Sequence, residues 1–121
     1  MPQTKLPWTF RDLAEKSRLS KAPDFIWSQI KFPSGRNSQG WIDLRSTLNR
    51  ITYDGKFPHK NDGSIFKNRE GLLPKNHRDY YREFVHPTPG IDGPGPQRII
   101  KGGSGELFYS PDHYQTFTQI R

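Results

Sequence analysis

The chain has 121 residues, no cysteine and a formal net charge of +7. That length fits one domain. The lack of cysteine excludes disulfides, thiol nucleophiles and thiolate metal sites, and no apolar run of about 18 residues is present to form a membrane-spanning helix. The surplus of cations favours polyanionic partners, nucleic acid ahead of an anionic membrane surface, with plain solubility as the simplest alternative.

Only 31% of the residues are hydrophobic, so the core must draw on the large aromatics (Trp 3, Tyr 5, Phe 8). The opening residues, Met1 to Leu13, hold no apolar signal core. They fit either a mature chain or one delivered by another route.

Thr9 is placed to cap a first helix carrying Phe10, Leu13 and Ala14 on one face, with Asp12 at the capping-box position. A second amphipathic helix is predicted after Pro23-Asp24, from Phe25, Ile26, Trp27 and Ile30. Phe32-Pro33-Ser34-Gly35 ends it, and Ser38-Gln39-Gly40 extends the loop. A third helix is expected from about Ile42 to Ile51, closed by Tyr53-Asp54-Gly55. The second half reads as strands: Ser64–Lys67, Tyr80–His86, Gln97–Lys101, Leu107–Ser110 and Tyr114–Ile120. They are separated by Asn61-Asp62-Gly63, the Pro- and Gly-rich stretch 87–96, Gly102-Gly103 and Ser110-Pro111-Asp112. Helices followed by strands argue for an α+β domain, with N-terminal helices and then a single antiparallel sheet of about four to five strands.

His59, His77, His86 and His113 lack the spacing of a zinc motif, so no metal site is expected, and no phosphate loop or dinucleotide fingerprint is present to call for a cofactor. Metal-free RNA cleavage needs a base for the 2′-hydroxyl, an acid for the departing 5′-oxygen, and cations for the charge growing on phosphorus. A carboxylate and a histidine suit the first two tasks near neutral pH. Arginine suits the third, because its planar fork matches phosphate and stays charged. Taken singly, the candidates have plainer readings. Glu83 fits a solvated strand residue, His113 a surface turn, Arg98 the wet face of a strand and His59 an ordinary loop. His77 and His86 read as surface residues.

Four stretches, in order, change that balance. Asp62-Gly63-Ser64-Ile65-Phe66-Lys67-Asn68-Arg69-Glu70-Gly71-Leu72-Leu73-Pro74 resembles the base-recognition segment of the microbial guanyl-specific ribonucleases, the family that includes barnase. Tyr80-Tyr81-Arg82-Glu83 resembles their catalytic-glutamate strand. Thr88-Pro89-Gly90 followed by Arg98-Ile99-Ile100 resembles the next hairpin, with its phosphate-binding arginine. Pro111-Asp112-His113-Tyr114-Gln115-Thr116-Phe117 resembles the catalytic-histidine loop. The resemblance runs from near Ile51 to Arg121, and residues up to about Leu44 show no counterpart.

The resemblance implies Glu83 as general base, His113 as general acid and Arg98 as the phosphate-binding cation. It implies Glu70 as acceptor for the guanine edge. Asn68 and Arg69 would shape the loop and present backbone donors, Lys67 would belong to the same substrate-binding segment, Phe66 would support it, and Tyr114 would line the site beside His113. The product would be a 2′,3′-cyclic phosphate. One position departs from the pattern: bacterial members carry a second arginine where this chain has Pro94. The fungal branch lacks that arginine and has a histidine in a Tyr-Pro-His-Lys stretch, to which Phe57-Pro58-His59-Lys60 is similar. His59 is therefore assigned as a second positive group beside Glu83.

The chain is thus expected to be one domain over 1–121, with 1–44 a helical extension and 45–121 the catalytic core. It is expected to be a secreted, monomeric endoribonuclease acting on single-stranded RNA, without membrane association and with an acidic inhibitor protein as a possible partner. Two other readings stay open: the toxic tip of a delivered effector, and a non-catalytic RNA-binding module on the same fold.

Overall fold

Residues 24–32, 34–53 and 59–121 are described by the computed structural model. The chain divides into two compact units, Met1–Gly55 and Lys56–Arg121.

The described part of the first unit is a two-stranded hairpin and a helix. Strands β1 (Phe25–Lys31) and β2 (Asn37–Asp43) pair antiparallel from Phe25↔Asp43 to Lys31↔Asn37. The connection turns at Ser34-Gly35, where Gly35 takes φ +87°, a left-handed conformation that costs glycine little. The turn is closed by Phe32 N–H to Arg36 O (2.8 Å) and Gly35 N–H to Phe32 O (2.9 Å). The predicted helix over Phe25–Ile30 is therefore a strand, and the loop expected at Ser38-Gln39-Gly40 is its partner. Ile26 and Ile30 share a face at both the helical and the strand period, so their spacing alone could not discriminate. The β-branched and aromatic content was the better guide.

Helix α1 (Arg45–Thr52) starts later than expected, because Ile42 still belongs to β2. Asp43 sets its beginning: Oδ1 accepts from Arg45 N–H (3.0 Å), and the carboxylate also grips the Arg45 guanidinium (2.8 Å). That pairing holds the Arg45 pKa above its ordinary value. Leu44, Thr47 and Leu48 are the buried positions around the helix start and its inner face. The helix predicted around Thr9 lies outside the described residues.

The second unit is a five-stranded antiparallel sheet in the order β3 (Ile65–Phe66), β4 (Tyr81–Val85), β5 (Arg98–Lys101), β6 (Leu107–Ser110), β7 (Thr118–Gln119). The five predicted strands are all present, the outer two much shortened. The fold is α+β, but among the described residues it has one helix and two sheets, rather than a set of helices before a single sheet. Side chains directly opposite in an antiparallel pair share a face. Register therefore puts Phe66, Tyr81, Ile100 and Phe108 together, and with Leu73 they form a buried cluster flanked by Tyr80, Tyr114 and Phe117. Glu83, Arg98 and Ser110 continue that same face beyond Tyr81 and Ile100. Phe84, Ile99 and Tyr109 are buried on the other face. His86, read from sequence as a surface residue, is 5% exposed.

Candidate active site

Glu83 stands opposite Ile100, and Val85 stands opposite Arg98. Arg98 is thus the diagonal neighbour of Glu83 on the same face, within about 7–8 Å. Arg98 is only 7% exposed. Its Nη1 donates to Gly95 O (2.6 Å) and Gln97 O (2.9 Å), which fixes the guanidinium in orientation. Two carbonyls thus hold one edge of a buried cation in place before any substrate arrives.

The loop ahead of β3 is stitched to β4 beside Glu83. Gly63 N–H donates to Glu83 O (2.7 Å), and Glu83 N–H donates to Ser64 O (2.9 Å). Asp62 receives Val85 N–H on Oδ1 (2.7 Å) and His59 N–H on Oδ2 (3.3 Å). One carboxylate therefore ties the His59 backbone to the strand that carries Glu83. The Ser64 hydroxyl lies 3.2 Å from Glu83 Oε1 and 2.6 Å from Asn61 O. Its single proton is shared between these two acceptors.

His113 sits on the turn after β6, and Tyr114 sits there with it rather than opening the long final strand expected over 114–120. Both adopt left-handed backbone conformations, with φ +53° and +75°. Such values are uncommon outside glycine and persist only where surroundings enforce them. Here Asp112 Oδ1 accepts from Thr116 N–H (2.9 Å) and Ser110 Oγ (2.9 Å), and Oδ2 accepts from Thr116 Oγ1 (2.6 Å). Ser110 Oγ accepts in turn from Tyr114 N–H (2.9 Å), and His113 N–H donates to Pro96 O (2.8 Å).

These elements enclose a cleft of about 250 Å³, whose lining includes His59, Glu83, Arg98, His113 and Tyr114, with Pro94 on its wall. The carboxylate, the imidazole and the arginine singled out from sequence converge there, and His59 joins them. The Tyr114 ring lies 5.0 Å from that of His113, and the Arg98 guanidinium lies 5.7 Å from the Tyr114 ring centre. Burial pushes the Tyr114 hydroxyl well above its ordinary pKa. The neighbouring Glu83 carboxylate adds to the rise, and Arg98 partly offsets it. The phenol therefore stays protonated, a neutral donor between an acid and a cation.

A second, wider depression of about 580 Å³ adjoins the first and shares Glu83, His113 and Tyr114 with it. Phe66, Lys67, Asn68, Arg69 and Glu70 line it, together with Leu72 and Gln115. Phe66 is buried and stacks against Tyr114 at 4.8 Å. Asn68 turns inward: Nδ2 donates to Leu73 O (2.9 Å), and Oδ1 accepts from Leu73 N–H (3.1 Å). Its side chain thus closes the 68–73 loop, assisted by φ +53° at Asn68 and φ +68° at Gly71. The backbone N–H groups of Asn68, Arg69 and Glu70 have no internal acceptor among the described residues. Three backbone donors beside an exposed carboxylate at Glu70 form a ready-made edge for a ring carrying both acceptor and donor groups.

The ribonuclease family profile matches residues 37–121. The chain belongs to this ribonuclease family. Its relatives are microbial guanyl-specific enzymes. Guanyl-specific ribonuclease St of Saccharopolyspora erythraea is 42% identical over 75 residues, covering 62% of this chain and 74% of that protein. Guanyl-specific ribonuclease Sa of Kitasatospora aureofaciens is 47% identical over 79 residues, covering 64% and 82%. Among solved structures, ribonuclease Sa2 in complexes with mononucleotides superposes with a TM-score of 0.62 at 45% identity, over 64% of this chain and 80% of that one.

The ribonuclease also contains supporting residues that the sequence reading did not single out. Ser64 touches the Glu83 carboxylate, Asp62 anchors the His59 loop and Asp112 shapes the His113 turn. Gln97, 1% exposed, accepts from Tyr109 Oη (2.6 Å) and donates to Thr88 Oγ1 (3.0 Å), which fixes the residue whose carbonyl holds Arg98. An Asx residue ahead of a turn was the available signal for the two aspartates. Ser64 gave none, because its relation to Glu83 exists only across the β3–β4 pairing. Among the described residues, no group of three or more His, Asp or Glu side chains is placed to hold a metal ion.

Proposed function

We propose that this ribonuclease is a secreted, guanyl-preferring endoribonuclease that cleaves single-stranded RNA by metal-independent transphosphorylation. The observation that carries the reading is the junction of the two depressions at Glu83, His113 and Tyr114. One side offers cations for a phosphate, the other offers a carboxylate and backbone donors for a base, and the acid–base pair stands between them.

In this reading Glu70 accepts from the N1–H and N2–H groups of guanine, while the free backbone donors of 68–70 meet O6. Lys67 and Arg69 add positive potential along the approach, and Phe66 supports the base loop. The scissile phosphate then lies in the smaller cleft. Glu83 removes the proton from the 2′-hydroxyl, and the 2′-oxygen attacks phosphorus. Arg98, already locked by two carbonyls, and His59 stabilise the added negative charge. His113 gives a proton to the departing 5′-oxygen. The P–O5′ bond breaks, leaving a 2′,3′-cyclic phosphate and a free 5′-hydroxyl. Tyr114, kept protonated, supplies a further donor beside the phosphate.

Residues 45–121 would form the catalytic core of a single 1–121 domain, acting as a monomer, with 1–44 an extension. Secretion suits such an activity, since free ribonuclease inside the producing cell would degrade its own RNA. The exposed cations around the two depressions would suit an acidic inhibitor protein.

The test is cleavage of a fluorescent oligonucleotide in EDTA. Fragments ending in guanosine 2′,3′-cyclic phosphate are expected. Glu83→Ala and His113→Ala should each lose about 10²–10⁴-fold in turnover while remaining folded. Near-normal turnover in either variant, or dependence on added metal, would overturn the reading.

A further inference from the structure

The β1–β2 hairpin carries an outer face that the cleft chemistry does not use, and β1 lies wholly ahead of the residues matched by the family profile, 37–121. Register places the pairs Trp27↔Trp41, Gln29↔Gln39 and Lys31↔Asn37 in succession on one side of the hairpin. Trp27 is 51% exposed, although an indole is among the costliest groups to leave in water, and it meets Trp41 edge-to-face at 5.9 Å. Gln29, Gln39, Lys31 and Asn37 are exposed beyond it, and the exposed Arg36 stands in the connecting turn. The hairpin's one carboxylate, Asp43, is held by Arg45. The charge presented along this face is therefore positive.

We infer that this hairpin face is an accessory binding surface for single-stranded RNA, separate in its residues from the catalytic cleft; it rests on the ribonuclease reading only for the choice of RNA. Stacking on an exposed aromatic together with cations that follow the backbone is the general mode of single-strand binding. Side chains on one face of a strand repeat at about 6.7 Å. A base stacked on the exposed part of Trp27 therefore has the Gln29 amide for a neighbouring base edge, and Lys31 and Arg36 for phosphates further along. The interleaving of one aromatic pair with amides and cations is unlike the contiguous apolar patch that a protein partner or a bilayer would require.

The test uses the full chain and two substrates. A 12-nucleotide RNA with 2′-O-methyl groups throughout has no attacking hydroxyl, so its affinity can be read by fluorescence anisotropy without cleavage. A guanylyl dinucleotide reads turnover in the cleft. Trp27→Ala should weaken 12-mer binding about tenfold, a modest value for loss of one base–aromatic stack. Trp27→Phe should restore most of it. Removing two phosphate contacts by Lys31→Ala with Arg36→Ala should flatten the log–log salt dependence by about 1.4. Trp27→Ala and the Lys31→Ala/Arg36→Ala double variant should both keep dinucleotide kcat/KM within twofold. An unchanged 12-mer Kd in either variant, a parallel loss on the dinucleotide, or a Trp27-dependent dimer by sedimentation would each overturn the proposal. Absence of dinucleotide cleavage by the wild-type chain would instead refute the enzymatic reading, and the 12-mer titration would still decide the hairpin.

Discussion

Replacing Asp112 by alanine should separate the shape of the active-site turn from its chemistry. The carboxylate receives three hydrogen bonds, from Thr116 N–H, Thr116 Oγ1 and Ser110 Oγ, at 2.6–2.9 Å. The two from Thr116 are exposed, so water replaces part of what is lost, and the total falls at about 2 kcal/mol rather than the larger figure for buried charged bonds. For a chain of this size that is a fall of about 8 °C in Tm. Function should suffer separately. Left-handed backbone at His113 and Tyr114 costs about 1–2 kcal/mol per residue, or roughly 2–3 kcal/mol together. Without Asp112 the main restraints left are Tyr114 N–H to Ser110 Oγ and His113 N–H to Pro96 O, together about 2 kcal/mol. The turn would then relax in most molecules, and kcat on a guanylyl dinucleotide should drop about tenfold below the melting range. Thr116→Val, which removes one contact, should show a smaller loss in both readouts. If Asp112→Ala melts as expected but keeps kcat within twofold, the turn is held by something other than this carboxylate and the argument fails.

Glu70→Gln turns one acceptor for the N1–H and N2–H pair into a donor, so guanine preference over adenine should fall about tenfold or more, with Tm nearly unchanged, because the side chain is exposed; competing-substrate kinetics would show it, and an unaltered preference would refute the assignment. His59→Ala should lower kcat by about 10-fold if this residue supplies the positive group absent at Pro94, and no loss would assign that role elsewhere. Tyr114 should leave a signature at alkaline pH. Its folded-state pKa is raised above the ordinary value of 10.0, so its contribution to stability is complete below pH 10 and is lost as the unfolded chain ionises above it. Tyr114→Phe should therefore flatten the alkaline fall in Tm, only in part, since burial also raises Tyr81. An alkaline limb of unchanged steepness would contradict this.

Strands β4, β5 and β6 were legible in the sequence because each is a short β-branched or aromatic run bounded by Gly, Pro or Asx punctuation. The outer strands were over-read for a common reason: polar side chains there bind backbone and shorten the ladder. Asn68 closes its own loop after two residues of β3, and Asp112 with Ser110 consumes most of the predicted final strand. At the hairpin, Ile26 and Ile30 satisfied two periods at once. His86 was misplaced because residue type does not report burial. Of the site, Glu83, Arg98, His113 and the 66–70 loop were visible as chemistry with a familiar order. Ser64 and Gln97 were not, because each acts through a partner that only strand pairing brings near, and Asp62 showed only as an Asx residue ahead of a turn.

The two depressions are not independent compartments, and that constrains how specificity must appear. Glu83, His113 and Tyr114 belong to both walls, and Phe66 of the base loop stacks on Tyr114, which in turn lies against Glu83 and Arg98. In the proposed reading, a base seated on the 66–70 loop would bear, through Phe66, on the ring beside Glu83 and Arg98. Contacts to the base made before the reaction can thereby position the groups that act during it, which is how binding energy remote from the reacting bond raises kcat rather than merely lowering KM. A wrong base should accordingly be penalised in kcat as well as in KM. A higher KM for the adenylyl dinucleotide with a kcat identical to that for the guanylyl one would mean that the shared tyrosine transmits nothing between the two walls.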